Sequence, residues 1–285
     1  RRKTPSELKI EKIKLDPVVK EYRKLHPERK VQVMDAACIA TDAELYKNCA
    51  VARSRGIPEL SKMQVPPMNV RIAIVGSGIS VEDQMDAIRS HVGPVMALKG
   101  AHDWLIERGI TPDYAVACDP QQSRATCFGS LNDKTIYLCA SQMHPDTWDH
   151  LKGRKVILFH ALINNGQPNM PEWKGVALVP GGSTTGLRAI PLCYFLGYRN
   201  IDLYGFDSNV KDGVYKVDGT EVRSGDKVVD VWVGEKSYTT SYLMLPQALQ
   251  IQDVMRGFPG IKLTAHGEGL FQEVLRQGKL AGWPV

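Results

Sequence analysis

Residues 72–80 read Ile-Ala-Ile-Val-Gly-Ser-Gly-Ile-Ser, an apolar run that passes straight into a turn of small residues. Gly76 and Gly78 let the backbone bend tightly and approach a ligand with no Cβ in the way. The polar helix start that follows, with Ser80, Glu82 and Asp83, would aim N–H groups into the turn. Such groups attract phosphate or carboxylate, so Ser77 and Ser80 join the two glycines as candidate ligand contacts. Further along, Gly181-Gly182-Ser183-Thr184-Thr185-Gly186 repeats the same physics with small residues, hydroxyls and a helix N-terminus. Two anion-friendly bends in one sheet suit a nucleotide di- or triphosphate better than a single carboxylate. Read purely locally, each is also an ordinary strand-to-helix turn.

Four further residues stand at the ends of apolar runs. Lys99 can hold a phosphate or simply project into water. Asp119, in Asp119-Pro120-Gln121, and Asp207, in Gly205-Phe206-Asp207, can each ligate Mg²⁺, hydrogen-bond a ribose, or close a local Asx turn. His266, in Ala265-His266-Gly267-Glu268-Gly269, can serve as general acid or base or as a phosphate contact. A nicotinamide dehydrogenase fits poorly: Val81 stands where Gly-x-Gly-x-x-Gly needs its third glycine, and the second strand ends in Lys99 instead of an acid. No Gly-x-x-x-x-Gly-Lys-Ser/Thr run exists, which excludes a P-loop ATPase. The histidines and cysteines show no zinc-type pairing.

The elements that must position these groups follow from residue 71 onward. Apolar runs at 71–75, 94–98, 114–118, 135–139, 155–159, 176–179 and 201–205 have strand length and β-branched or aromatic content. Between them, 82–91, 101–108, 144–151 and 185–196 show helical apolar spacing. Strands alternating with helices predict an α/β, Rossmann-like, doubly wound sheet that is mainly parallel and covered on both faces. Ligands in such sheets bind at the carboxyl ends of the strands, where the candidates above fall. Residues 212–235 break the rhythm, and Asp218-Gly219 predicts a hairpin over 214–223, with a further strand at 227–233. This insertion is either a lid or the cover of a sheet edge. A helix over about 239–256 and a strand near 261–264 complete the reading.

The first 65 residues differ. Thr41-Asp42-Ala43-Glu44 is a capping box and Gly56-Ile57-Pro58 a stop, predicting a helix over 42–55. Pro66-Pro67 marks a linker, so the expected division is a basic helical extension, 1–65, and a nucleotide-binding domain, 66–285. Residues 1–30 carry eleven Lys/Arg against five acids, which leaves the other 255 residues close to neutral. That arm suits nucleic acid or an acidic partner, or is a solvated extension. Cysteines 38, 49, 118, 127, 139 and 193 lack a disulfide-framework spacing, which fits a reducing cytoplasm. No apolar stretch is long enough to span a membrane. The N-terminus shows neither Met nor a signal-peptide pattern, as in a trimmed chain.

Taken together, Ile74-Val75-Gly76-Ser77-Gly78-Ile79-Ser80, Gly109-Ile110-Thr111-Pro112-Asp113-Tyr114 with Asp119-Pro120, Gly182-Ser183-Thr184-Thr185-Gly186 and Leu196–Asp207 resemble the 6-hydroxymethylpterin diphosphokinase MptE-like family. That family is related to bacterial sialyltransferases and Maf flagellin-glycosylation proteins, and the chain is also similar to phage-encoded members. The resemblance covers roughly residues 70–270 and implies a Rossmann-like nucleotide site. Gly76–Ser80 would hold phosphate, Ser183–Gly186 would contact the nucleotide, and Asp119 or Asp207 would sit near Mg²⁺ and the reacting phosphates. It implies ATP as pyrophosphoryl donor to a small hydroxymethyl acceptor, or a cytidine nucleotide sugar as in the sialyltransferase relatives. In the second case His266 or Asp207 is the candidate base. Ile79 stands where the family usually has Pro, and the Asn common near Lys99-Gly100 is absent, which leaves the donor open. A third expectation is a binding or assembly module using the basic arm, and an oligomer is compatible with any of the three.

Overall fold

The structure, a computed structural model, describes residues 40–63, 65–222, 228–241 and 244–280. The basic run at 1–30 and Cys38 lie outside the described residues. Among the described residues ten strands follow in chain order: β1 (Met68–Val75), β2 (Val95–Leu98), β3 (Tyr114–Ala117), β4 (Ile136–Ala140), β5 (Lys155–Ala161), β6 (Leu178–Val179), β7 (Tyr198–Tyr204), β8 (Val228–Val233), β9 (Lys236–Ser241) and β10 (Lys262–Ala265). Seven α-helices accompany them among the described residues: α1 (Asp42–Ser54), α2 (Met85–Arg89), α3 (Lys99–Glu107), α4 (Asp146–His150), α5 (Thr185–Phe195), α6 (Leu245–Gly257) and α7 (Leu270–Leu280).

Eight strands form one sheet in the order β10-β7-β1-β2-β3-β4-β5-β6, with every neighbouring pair parallel. The expected Rossmann-like α/β fold is what the chain adopts. Ile72, Ala73, Ile74 and Val75 are all fully buried, as a strand covered on both faces must be. Successive side chains take opposite faces. Ile72 and Ile74 pack with residues of α5, α6 and α7, whereas Ala73 and Val75 pack with α2 and α3. Helix α5 returns the chain from edge strand β6 to β7, next to the opposite edge strand, and its residues Gly186–Cys193 are buried throughout. Each fully buried Leu or Ile there contributes about 1.5–3 kcal/mol.

This return creates the switch point. The chain leaves β1 toward β2 on one side and leaves β7 toward β10 on the other, so the crevice beyond β1 and β7 is where an open sheet accepts ligands.

Helix α1 starts at the capping box: the Glu44 amide donates to Thr41 Oγ1 and the Thr41 amide to Glu44 Oε2. It packs on the β5–β6 side through Leu45 and Cys49 against Ile163 and Trp173. Residues 58–59 continue beside β5, where the Leu158 amide donates to Pro58 O at 2.8 Å. The insertion differs from its reading in one respect. Among the described residues around Asp218-Gly219 only isolated bridges form, Lys211 to Val214 and Val214 to Glu221, and Arg223 lies outside them. The regular hairpin is β8–β9, so the helix expected from about 239 begins at Leu245 instead. Tyr238, Thr239 and Thr240 explain the shift: aromatic and β-branched residues favour the pleated strand, and Pro246 suits the first turn of α6.

Candidate functional site

The residues singled out in the sequence lie along the carboxyl edge of the parallel sheet, after β1, β2, β3, β7 and β10 and at the start of α5. A closed circuit of contacts links most of them. A Cβ on Gly100 would meet Ser77 Oγ at 2.8 Å, so the first bend rests on the start of α3. Lys99, the residue before, donates to Asp119 Oδ2 at 2.8 Å. Cys118 Sγ lies 3.1 Å from Thr185 Oγ1 in the first turn of α5. Gly186 packs so closely on Phe206 and Leu98 that a Cβ would stand 2.8 Å from Phe206 Cε1. Finally, Gly205 meets the first bend itself, where the Gly78 amide donates to Gly205 O at 2.9 Å. These contacts tie the two bends together, with the Lys99–Asp119 pair between them.

Their amides are not equally available. In the first bend Gly76 N–H donates to Tyr204 O and Ser80 N–H to Asp207 Oδ2, at 2.8 and 2.7 Å. Ser80 Oγ donates to Asp207 Oδ1 at 2.5 Å, and Gln272 Nε2 donates to the same oxygen at 2.9 Å. Asp207 is thus the anion seated at this turn. Burial pushes its carboxyl above the usual range, and the bonds from Ser80 and Gln272 pull the other way. In the second bend Thr184 caps α5 by accepting from Leu187 N–H at 3.2 Å. Ser183 N–H donates to Gln250 Oε1 at 2.7 Å. The amides of Thr185 and Gly186 have no acceptor among the described residues, as expected of a helix first turn. Gly182 leaves no room for a side chain, since a Cβ would lie 2.3 Å from Leu187 Cδ1.

The two aspartates do not share a site. They follow β3 and β7, three ladder spacings apart, or roughly 14 Å, far beyond the reach of a single Mg²⁺. Asp207 is 2% exposed and accepts three internal bonds, so it does not fit a metal in this arrangement. Asp119 fits better because it is partly exposed, with Oδ2 accepting from Lys99 and Oδ1 from Gln121 N–H at 3.2 Å. One carboxylate is enough for a Mg²⁺ that keeps its waters and rides on phosphates. His266 stands on the other flank of the first bend, where Gly267 abuts the side chain of Ser80.

Reading the chain alone missed Gln250 and Gln272, which hold the two bends, Asp202, which meets His266, and Arg71, which meets Asp202. The signal for Asp202 was an acid inside an apolar strand run, Ile201-Asp202-Leu203. The glutamines sit on helices and carry no motif.

Among the described residues no helix is long and apolar enough to cross a membrane. No curated protein matches the chain. A solved structure similar in fold is that of the Maf glycosyltransferase from Magnetospirillum magneticum AMB-1, with a TM-score of 0.59, 15% identity and coverage of 84% of this chain. The chain spans 42% of that protein's length. The profile of the 6-hydroxymethylpterin diphosphokinase MptE-like family matches residues 43–213, more than half of the chain and all of the sheet from β1 to β7. With two bends, a switch point and a matching profile in one segment, this chain belongs to the MptE-like family.

Proposed function

We propose that this protein is a nucleotide-dependent transferase that moves a pyrophosphoryl group from ATP to a hydroxymethyl acceptor. The observation carrying the reading is the unpaired first turn of α5, at Thr185 and Gly186, set beside Lys99 and Asp119, which follow β2 and β3 next to the switch point. Phosphates of the donor lie over β1–β3, where those amides and the Lys99 ammonium offset their charge. Asp119 is the residue that would hold a nucleotide-borne Mg²⁺, which supplies further charge neutralisation on the phosphates. The acceptor hydroxyl sits on the β7–β10 side, with His266 as the group that takes its proton. The half-formed hairpin at 214–221 borders the opening, because Val217 N–H donates to Ser77 O at 2.9 Å.

A second reading keeps the same pocket for a nucleotide sugar, and the glycosyltransferase fold likeness favours it. The basic arm at 1–30 then serves a nucleic acid or acidic partner in either case. Calorimetry of the full chain with ATP, cytidine and uridine nucleotides, with and without Mg²⁺, separates the readings. Mg²⁺-dependent ATP binding that Lys99→Met weakens about tenfold, followed by AMP release on adding a hydroxymethyl acceptor, supports the first. Binding of cytidine or uridine nucleotides with no response to ATP supports the second. Binding of none of them overturns both.

A further inference from the structure

One charged cluster beside the site is still unused. Asp202 lies in the middle of β7, paired in register with Ala73 of β1 and Thr264 of β10. Its side chain is 3% exposed, and a carboxylate so placed needs donors. Arg71 supplies two, Nε to Oδ2 at 2.8 Å and an Nη to Oδ1 at 2.5 Å. His266 Nε2 lies 2.8 Å from Oδ1. The other titratable groups facing the cluster are His91, whose Nδ1 is 4.0 Å from Oδ2, and Tyr204. Burial alone would raise the Asp202 carboxyl, but the bonds from Arg71 and His266 outweigh it and hold the group below the usual carboxylate range.

An ionised carboxylate only accepts, so the hydrogen between the two side chains belongs to His266 Nε2. When the ring carries a single hydrogen, its lone pair is then on Nδ1. That atom has no hydrogen-bond partner among the described residues, and the side chain is 30% exposed. The ring is also fixed in direction. It stacks on Tyr204 at 4.4 Å and 7°, and its own backbone N–H donates to Leu203 O at 2.8 Å.

We propose that Asp202, clamped by Arg71, is a positioning residue that fixes His266 as the Nε2–H tautomer and presents Nδ1 as the proton acceptor for the hydroxyl substrate. The proposal rests on the transferase reading for its use, although the clamp can be tested without turnover. In the step, Nδ1 takes the hydroxyl proton while the substrate oxygen bonds to phosphorus. The bridging P–O bond breaks, and its electron pair leaves with the nucleoside monophosphate. Arg71 matters because its two donors hold both carboxylate oxygens in place.

The test is ¹⁵N NMR of the imidazoles in the full chain at neutral pH, with the His266 signals assigned by their loss in His266→Asn. The wild type is expected to show a protonated Nε2 and an unprotonated Nδ1. Oδ1 accepts from both Arg71 and His266, so Asp202→Leu, which removes both oxygens, is the informative variant. Nε2 then loses its acceptor, and the ring is expected to relax toward a mixture of both tautomers. Asp202→Asn, whose amide oxygen can take the Oδ1 position, is expected to keep the wild-type pattern. A wild-type ring protonated at Nδ1, or a folded Asp202→Leu with an unchanged pattern, overturns the clamp. If Asp202→Leu does not fold, the wild-type spectrum decides alone. The turnover arm predicts that Asp202→Leu lowers the transfer rate about 10²–10⁴-fold with little change in KM. Tautomer exchange in a protein that transfers nothing counts against the transferase reading and leaves the clamp standing.

Discussion

Gly78→Ala is the smallest change that separates a bend built for close approach from an ordinary turn. Gly78 has φ −63°, a conformation open to any residue, so only space requires a glycine there. A Cβ would lie 2.7 Å from Asp207 Oδ2 and 2.7 Å from Gly205 O, where ordinary contacts run from 3.4 to 4 Å. Neither neighbour yields easily: one is backbone, and the other is a carboxylate held by Ser80 and Gln272. Overpacking of this kind costs about 1–3 kcal/mol. Loosening a charge-assisted bond between Ser80 and Asp207 costs about 1.5–3 kcal/mol more. A total of about 2.5–6 kcal/mol is expected, or a fall in Tm of about 5–24 °C for a domain of this size. Differential scanning calorimetry reads it directly. Gly109→Ala provides the contrast, since Gly109 has φ +78° and nothing within 4 Å of a Cβ. That substitution costs only the left-handed backbone strain, about 1–2 kcal/mol. If Gly78→Ala melts within about 2 °C of wild type, the tight seating of Asp207 at the first bend is refuted.

Other outcomes follow from the same geometry. Gln250→Ala, which leaves Ser183 N–H without its acceptor, is expected to lose about 1–3 kcal/mol in chemical denaturation and to weaken nucleotide binding. Acid should destabilise the fold through His102 and His160, whose imidazoles are pushed below the ordinary range mainly by burial. The unfolded chain then binds the extra protons, so stability is full above about pH 6.5 and falls as pH drops below it. His160→Gln should flatten the slope of Tm against pH over that window, and an unchanged slope would contradict it. Brief alkylation at pH 7.5 followed by peptide mass spectrometry should spare Cys49 and Cys127, whose thiols burial pushes up to about 11. Rapid labelling of either would mean that its surroundings are open.

The chain announced most of its own scaffold, and the reasons are local. The capping box at Thr41 and Glu44 begins α1, and the apolar runs ending at Val75, Leu98 and Tyr204 became neighbouring parallel strands or their near neighbours. The stretch from Lys236 to Ser241 was harder, because its strand character depends on pairing with β8 across a short turn at Gly234. The site was legible where backbone chemistry leaves a signature, at Gly76–Ser80 and Gly181–Gly186. It was illegible where side chains from distant elements meet. Nothing near Ser80 foretold that Asp207 would occupy that turn, or that Gln272 would brace it. Arg71 and Asp202 are separated by most of the sheet's sequence and meet only because β1 and β7 are neighbours.

The account depends on a nucleotide seated across the carboxyl edge of the sheet. A crystal of the full chain soaked with a non-hydrolysable ATP analogue and Mg²⁺ tests this most directly. Phosphate density against the Thr185 and Gly186 amides, with Lys99 swung from Asp119 onto a phosphate oxygen, is the predicted result. Density elsewhere, or an undisturbed Lys99–Asp119 pair at saturating analogue, would contradict it.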